Sequence, residues 1–288
     1  MMKIKIGTRK SKLAIAQTNI FINELKTKFP ELETEIVPVV TTGDKILDKP
    51  LIQIGGKGVF VSEIERALLS GEIDVAVHSA KDLPVCLEKG LEISGVLKRG
   101  DYRDALVMLS GQEIENTHNF VVGTGSVRRI KNMHELYSEV KFKDIRGNID
   151  TRLKKLENGE YNAVILAAAG LKRIGLFENE KYTIKPFEYN EFLPSACQGI
   201  IALESRQNDF VTPFINAIND TNTFLSFETE QSVLRLLNAD CTMPIGAYSY
   251  IENDKINLTI SKDSDKKVSG ISNTENRFEL AKELVSKL

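Results

Sequence analysis

Hydrophobic and polar positions follow two different periods along the first two thirds of the chain, and their succession predicts repeated βα units. Residues 3–7 alternate as a strand does, residues 12–29 repeat apolar side chains at helical spacing, and residues 35–40 are apolar and β-branched. The same patterns predict further strands at residues 74–77, 91–97, 105–109, 120–122, 140–142 and 164–166, and helices at residues 59–69, 127–136, 149–156 and 168–174. The sequence therefore predicts an α/β fold.

The pattern changes in the last third of the chain. After Pro194 it is helical, with a helix predicted over residues 224–237. Short strands at residues 245–250, 256–260 and 268–271 then precede a final helix, which is typical of a small α+β domain. Earlier, the charged turn KRGDYRD at residues 98–104 separates two predicted strands and marks a crossing from a first lobe into a second, which extends to about residue 190.

Composition narrows the class of protein. With 288 residues, 42% of them hydrophobic, the chain is long enough for two or three domains with substantial cores. Lys and Arg total 38 against 40 Asp and Glu, so the net charge of -2 gives no general attraction to nucleic acid or anionic membranes. The three cysteines form no CxxC pair, and the sequence has neither an apolar signal segment nor a membrane-length apolar run. We expect a cytoplasmic protein with reduced thiols and no nucleic-acid or membrane partner.

Two polar turns in succession indicate an anion-binding site. GTGSVRR at residues 123–129 and RGNIDTR at residues 146–152 each join a predicted strand to a helix start, where backbone N–H groups and the helix dipole favour negative charge. They supply four arginines whose planar forks match carboxylate or phosphate oxygens, namely Arg128, Arg129, Arg146 and Arg152. The alternative is that these are ordinary surface arginines at helix starts.

Two further segments carry candidate chemistry in the predicted first lobe. GTRKS at residues 7–11 offers Arg9 and Ser11 as anion ligands, although a helix N-cap explains Ser11 equally well. HSAKDLP at residues 78–84 places Lys81 and Asp82 at the end of a strand, where a carboxylate can exchange protons or stabilise a cation. A solvated ion pair is the alternative for these two residues.

The remaining motifs argue against a nucleotide-binding loop, a metal site and a serine hydrolase site. GGKGVF at residues 55–60 lacks the hydroxyl that a nucleotide-binding loop places after its lysine, so we interpret it as a mobile segment in which Lys57 and Phe60 fold over a ligand. The three histidines lack metal-ligand spacing, and neither HExxH nor GxSxG occurs, so no metal is expected. Cys241 lies in a predicted loop and is a candidate nucleophile, with a small buried hydrophobe as the alternative.

Seven of these strings occur in one order along nearly the whole chain and together resemble the porphobilinogen deaminase family, also called hydroxymethylbilane synthases. They are GTRKSKLAIAQ, GGKGVFVSEIE, DVAVHSAKDLP, GTGSVRR, RGNIDTRL, AAAGLKRIG and DCTMPIG. The resemblance implies two lobes like those of periplasmic binding proteins around a cleft, plus a small α+β C-terminal domain. It implies a first lobe of residues 1–98 and 194–216, a second lobe of residues 99–193 and a cysteine-bearing domain of residues 217–288.

The resemblance also implies a reaction and a cofactor. Members of the family join four porphobilinogen molecules head to tail, with release of ammonia at each step, to give hydroxymethylbilane. Growth begins on a dipyrromethane primer that would be attached through a thioether to Cys241, and the enzyme is expected to be a monomer. Asp82 matches the catalytic aspartate. Matching positions imply that the cofactor binds Lys81, Asp82, Ser126, Arg128, Arg129 and Arg146, and that the substrate binds Arg9, Ser11, Gln17, Phe60, Thr124, Arg146, Arg152 and Arg173.

The sequence departs from the family pattern around the cysteine. Ala239 and Asp240 stand where two glycines are usual, and Ala tolerates a positive φ poorly. Asp240 is also expected to disfavour a thiolate beside it. Gln231 replaces an expected arginine, Thr242 a common glutamine, and Cys197 a small residue without a thiol, which makes Cys197 a rival for modification.

Two other functions are compatible with the sequence. The first is a two-lobed anion-binding protein without catalysis, which predicts reversible ligand binding and no ammonia release. The second is a cysteine-dependent acyl or thiol transferase, which needs a histidine base near its nucleophile, and the sequence places none there.

Overall fold

The computed structural model describes residues 3–41, 61–239, 243–263 and 266–288. The chain divides into two compact units by its internal contacts. The first unit comprises Met1–Arg99 and Ile200–Phe227, and the second comprises Gly100–Gly199 and Glu228–Leu288. The predicted division into three parts, after residues 98, 193 and 216, stays a prediction.

Within the described residues, helices and strands alternate along most of the chain. The strands are β1 (Lys3–Thr8), β2 (Glu33–Pro38), β3 (Val75–Ser79), β4 (Leu91–Val96), β5 (Asp104–Leu109), β6 (Val121–Gly123), β7 (Lys141–Lys143), β8 (Ala163–Ala167), β9 (Tyr182–Pro186), β10 (Ile201–Arg206), β11 (Gly246–Glu252), β12 (Lys255–Ser261) and β13 (Lys267–Asn273). The α-helices are α1 (Lys12–Lys28), α2 (Ser62–Leu69), α3 (Val127–Leu136), α4 (Ile149–Glu157), α5 (Ala168–Arg173), α6 (Thr212–Asn216), α7 (Thr221–Leu236) and α8 (Arg277–Val285). Single 3-10 turns lie at Ala80–Asp82 and Thr274–Asn276.

The first unit is built on a mixed sheet whose described strands pair in the order β2-β1-β3-β10-β4. β1 is parallel to β2 and β3, whereas β10 is antiparallel to both of its neighbours. Helix α1 packs Phe21 and Leu25 against Ile4 and Ile6 of β1, and all four side chains are essentially inaccessible to water. Burial of these side chains, each stabilising by about 1.5–3 kcal/mol, fixes α1 on the sheet.

The second unit contains a related sheet and a separate small one. The larger sheet pairs in the order β7-β6-β8-β5-β9, with β6 parallel to β7 and β8, and β5 antiparallel to β8 and β9. Both faces of β5 are buried, since Val107 and Met108 point to opposite sides and are fully covered. The small sheet β11-β12-β13 is antiparallel, and α8 covers one face so closely that a Cβ on Gly270 would meet Leu280 at 2.8 Å.

This architecture confirms the predicted α/β class, with two sheet-containing lobes and a small C-terminal α+β part. The prediction that the pattern is helical directly after Pro194 is wrong, because Ile201–Arg206 forms β10 in the interior of the first sheet. Ala202, Leu203 and Glu204 favour helix locally, but pairing with strands on both sides and complete burial override that preference. The pattern also gave no strand at β9.

The parallel strands place the predicted site residues at one edge of each sheet. In the first unit, the loop after β1 and the turn after β3 carry GTRKS and residues 80–82, and these two strands are neighbours. In the second unit, the loops after β7, β6 and β8 carry the remaining arginines, and these three strands are also adjacent. Ligands of open α/β sheets bind at this carboxyl edge.

Candidate active site

A pocket in the first unit lies between the loop after β1 and the end of β3. Arg9, Ser11 and Gln17 line it from one side, and Ser79 and Asp82 line it from the other. Gln17 Nε2 donates a hydrogen bond to Ser79 Oγ over 2.8 Å, which joins α1 to β3 at the pocket wall. The structure thus brings four of the sequence-predicted residues, from three separate segments, to one concave surface.

Ser11 has the capping role that the sequence left open as its alternative. Its Oγ accepts a hydrogen bond from the backbone N–H of Ala14 over 3.2 Å and forms the N-cap of α1. A hydroxyl that accepts one bond keeps its own proton for donation. Capping is therefore compatible with a hydrogen bond from Ser11 to a ligand in the pocket that it lines.

Lys81 and Asp82 lie in the 3-10 turn that follows β3 directly. Backbone hydrogen bonds from Ala80 N to Ile200 O (3.0 Å) and from Leu83 N to Ala80 O fix this turn. Lys81 is half-buried, whereas the Asp82 carboxylate is exposed and borders the pocket. From that position it can contact a positive charge that develops on a bound ligand.

A buried histidine–glutamate pair underlies the pocket, and no sequence motif indicated it. His78 Nε2 lies 2.8 Å from Glu204 Oε2, and the side chains are 7% and 0% exposed. Burial also raises the pKa of the nearby Glu65, partly offset by a hydrogen bond from the Glu88 backbone N–H. His78 and Glu204 are 126 positions apart in the sequence. They come together because the segment after Pro194, which the sequence pattern predicted to be helical, contains strand β10. The described residues contain no group of three ligands suited to a metal ion.

In the second unit, the GTGSVRR turn forms the start of α3. Ser126 is the N-cap, and its Oγ accepts from the Arg129 backbone N–H over 3.4 Å. Its own backbone N–H donates to Thr124 Oγ1 over 3.2 Å, and Thr124 is buried. The turn therefore has the strand, hydroxyl and helix-start arrangement that the sequence predicted, but its hydroxyls already take part in local hydrogen bonds.

Arg128 and Arg129 are buried rather than exposed, at 5% and 8%, and both contact Asp104. Arg128 Nη2 donates to Asp104 Oδ2 over 2.8 Å, and Arg129 donates to Asp104 Oδ1 from Nε (3.0 Å) and from Nη2 (2.7 Å). Main-chain carbonyls accept a further bond from each, Leu193 O from Arg128 and Ile165 O from Arg129. Burial lowers the pKa of Arg128, and Arg129 adds to this effect while Asp104 opposes it. The alternative of ordinary surface arginines does not apply to this pair.

The RGNIDTR turn is more open. Asn148 caps α4 through a hydrogen bond from Thr151 N to Asn148 Oδ1 (3.0 Å), and Arg152 Nε donates to Gly147 O over 2.8 Å. Gly147 has φ +109, and a Cβ there would lie 2.6 Å from Thr151 Cγ2, so glycine is required. Arg146 and Arg152 are half-buried at this turn.

Arg173 is the last residue of α5. Its Nη2 donates to Gly199 O over 2.5 Å. Burial lowers the pKa of Arg173 to about 10. A guanidinium desolvated in this way favours an anionic partner.

Phe60, Cys241, Asp240 and Thr242 lie outside the described residues. In the segment before Cys241, Asn238 adopts the left-handed conformation (φ 47), whereas the described residue Ala239 does not have a positive φ. Asn tolerates this conformation, so no strain falls on Ala239.

Cys197, the predicted rival for modification, is 1% exposed, and its backbone N–H donates to Glu230 Oε2. Gln231 is buried on α7.

Comparison with known proteins identifies relatives across most of the chain. Residues 4–212 match the family model described as "Porphobilinogen deaminase, dipyromethane cofactor binding domain". The porphobilinogen deaminase of Streptococcus sanguinis is 44% identical over 252 residues, which cover 86% of this chain and 82% of that protein. Those of Acetivibrio thermocellus (44%) and Rickettsia typhi (46%) cover 90% and 85% of this chain, and 87% and 82% of their own lengths.

Solved structures align more weakly. The aliphatic sulphonate binding protein SsuA of Escherichia coli gives a TM-score of 0.45 at 11% identity and covers 83% of this chain and 71% of its own. The GlnP substrate binding domain 2 of Lactococcus lactis gives 0.43 at 11% identity, with 83% and 91% covered. These scores are too low to imply a shared ligand.

Among the described residues, no helix combines the length and apolar character needed to cross a membrane.

Proposed function

The chain belongs to the porphobilinogen deaminase family, with the activity of a hydroxymethylbilane synthase and a dipyrromethane cofactor, and from this premise we propose how its residues divide the work. Arg128, Arg129 and Arg146 of the second unit bind the carboxylates of the cofactor, which is attached to Cys241. The pocket of the first unit binds the incoming porphobilinogen, and Asp82 stabilises the positive charge that forms during each addition. A monomeric state and a cytoplasmic location remain predictions.

The donor set of the second unit suits the cofactor. Each pyrrole of a dipyrromethane has an acetate and a propionate, so the group presents several carboxylates. Arg128 and Arg129 together have two positive charges against the single carboxylate of Asp104, and Arg146 adds a third guanidinium. When bound, the dipyrromethane supplies the terminal pyrrole carbon at which the first C–C bond forms, and its thioether bond survives each addition.

The pocket of the first unit suits a substrate that binds and reacts. Arg9 and Ser11 offer a cation and a hydroxyl for its carboxylates, and Lys81 lies on the turn that also carries Asp82. Porphobilinogen loses its aminomethyl nitrogen as ammonia, and the remaining methylene carbon is electron-poor. The carboxylate of Asp82 stabilises that cation and exchanges protons with the pyrrole N–H.

Each addition balances without an external oxidant or reductant. The C–N bond of the incoming aminomethyl group breaks, a C–C bond forms between its methylene carbon and the α-carbon of the preceding ring, and that α-carbon loses a proton. Four additions followed by hydrolysis give hydroxymethylbilane. The single observation that carries this assignment is the placement of Arg9, Ser11 and Asp82 around one pocket.

Intact-mass spectrometry tests the proposed attachment. Protein from a host that makes porphobilinogen is expected to have the added mass of two linked pyrroles, and Cys241→Ser is expected to lack it. Cys86→Ser is the matched control, since Cys86 is an exposed free cysteine and its replacement should leave the added mass unchanged. An unmodified wild-type chain, or full modification of Cys241→Ser, would contradict the assignment.

A further inference from the structure

The carboxylate of Asp104 occupies the centre of the second-unit arginine pair, and neither the sequence motifs nor the proposed roles account for it. Asp104 is the first residue of β5, is 0% exposed, and accepts hydrogen bonds from both guanidiniums. The two arginines lie on α3, 24 and 25 positions further along the chain. The buried carboxylate of Asp104, on β5, therefore orients the guanidinium groups of two adjacent residues on α3.

Among the side chains that the structure describes in this group, the charges do not balance. Two guanidiniums and one carboxylate leave one net positive charge among side chains that are 5%, 8% and 0% exposed. An uncompensated charge in such a place is costly unless an anion reaches it. Arg128 donates from Nη1 and Nη2 in these contacts, and a guanidinium has five N–H donors, so the pair also keeps donor capacity for a further acceptor.

A second ion-pair group in the same unit shows what a balanced arrangement looks like. Arg103 contacts Asp101 and Glu188, and Lys172 contacts Asp101, so two cations face two carboxylates. Lys172 and Glu188 in that group are largely exposed to water. The Arg128–Arg129 group is more deeply buried and yet has one carboxylate fewer, which indicates a place for an additional anion.

We propose that Asp104 is a positioning residue for the cofactor. It orients Arg128 and Arg129 before the cofactor binds and reduces their combined charge to the one positive charge that a single cofactor carboxylate neutralises. This inference rests on the proposed function, because it takes the dipyrromethane as the anion.

Attachment of the cofactor to unmodified protein tests the proposal. Wild type, Asp104→Asn and the control Asp101→Asn are produced in a host that cannot make porphobilinogen, incubated with porphobilinogen, and followed by intact mass. Asp104→Asn is expected to gain the dipyrromethane mass roughly 10- to 100-fold more slowly, because the forks lose their alignment. Asp101→Asn also removes a carboxylate shared by two cations and is expected to match wild type.

Two further measurements separate positioning from a merely structural role. With sodium acetate as the probe, the Tm of unmodified Asp104→Asn is expected to rise more than that of wild type or Asp101→Asn, because it has one more uncompensated charge. If Asp104→Asn does not fold, Asp104→Glu keeps the charge but displaces the forks, and it is expected to fold and to attach the cofactor slowly. Wild-type attachment rates in Asp104→Asn or Asp104→Glu would overturn this inference alone. An unmodified wild-type chain would overturn the proposed function as well.

Discussion

The GTRKS turn of the first unit and the GTGSVRR turn of the second share a plan but differ in burial. Each joins a parallel strand to a helix, and a serine caps the helix in both, Ser11 in one and Ser126 in the other. Arg9 is half-buried and borders an open pocket beside Asp82. Arg128 and Arg129 are buried and already hydrogen-bonded to Asp104 and to main-chain carbonyls.

This difference indicates two ways to bind the same chemical groups. A ligand that exchanges at every step needs a site that is open to water and from which it dissociates at a small cost in free energy. A ligand that stays for the life of the protein benefits from arginines fixed in advance, because orienting them is then not part of the binding cost. We therefore assign the exchanging substrate to the first turn and the permanent cofactor to the second.

The largest effect is expected at the carboxylate that distinguishes the first site. Asp82→Asn keeps the shape of the side chain but removes its charge, and we expect ammonia release to fall by about 10²–10⁴-fold with folding unchanged. Asp254→Asn, in an exposed turn between β11 and β12, is the control. Near-normal ammonia release by Asp82→Asn would refute its role.

The second largest effect is expected for the arginine pair of the GTGSVRR turn. Arg129→Gln removes hydrogen bonds to Asp104 and Ile165 O and leaves Arg128 and Asp104 as a neutral pair. We expect the free energy of unfolding to fall by about 1–3 kcal/mol and cofactor attachment to be impaired. Urea unfolding and intact mass measure the two effects. Full cofactor attachment would show that this arginine pair is structural only.

The smallest effect is expected at the first turn. Arg9→Gln should raise KM for porphobilinogen about tenfold, because a bond to a substrate carboxylate is lost. Its free energy of unfolding should change by less than about 0.5 kcal/mol, since Arg9 is only half-buried and borders an open pocket. Steady-state kinetics and urea unfolding check both expectations. A loss of stability as large as that of Arg129→Gln would remove the distinction between the two turns.

The sequence predicted what is local and missed what is distant. The period of residues 127–136 predicted α3 with its observed bounds, because helical periodicity depends on neighbouring residues. Asp104 was missed because its contacts with Arg128 and Arg129 depend on the packing of α3 against β5 and β8. Glu204 was missed for a similar reason, since its partner His78 reaches it only across the pairing of β3 and β10. The burial of the arginines likewise follows from packing and has no signal in the motif.

An isotope chase tests the central claim that the second unit retains its ligand while the first exchanges one. Protein whose cofactor has been assembled from ¹³C-labelled porphobilinogen is given unlabelled porphobilinogen for many turnovers, and both protein and product are then weighed. We predict that the protein keeps the full labelled mass while the hydroxymethylbilane is unlabelled. Transfer of the label from the protein into the product would contradict the account.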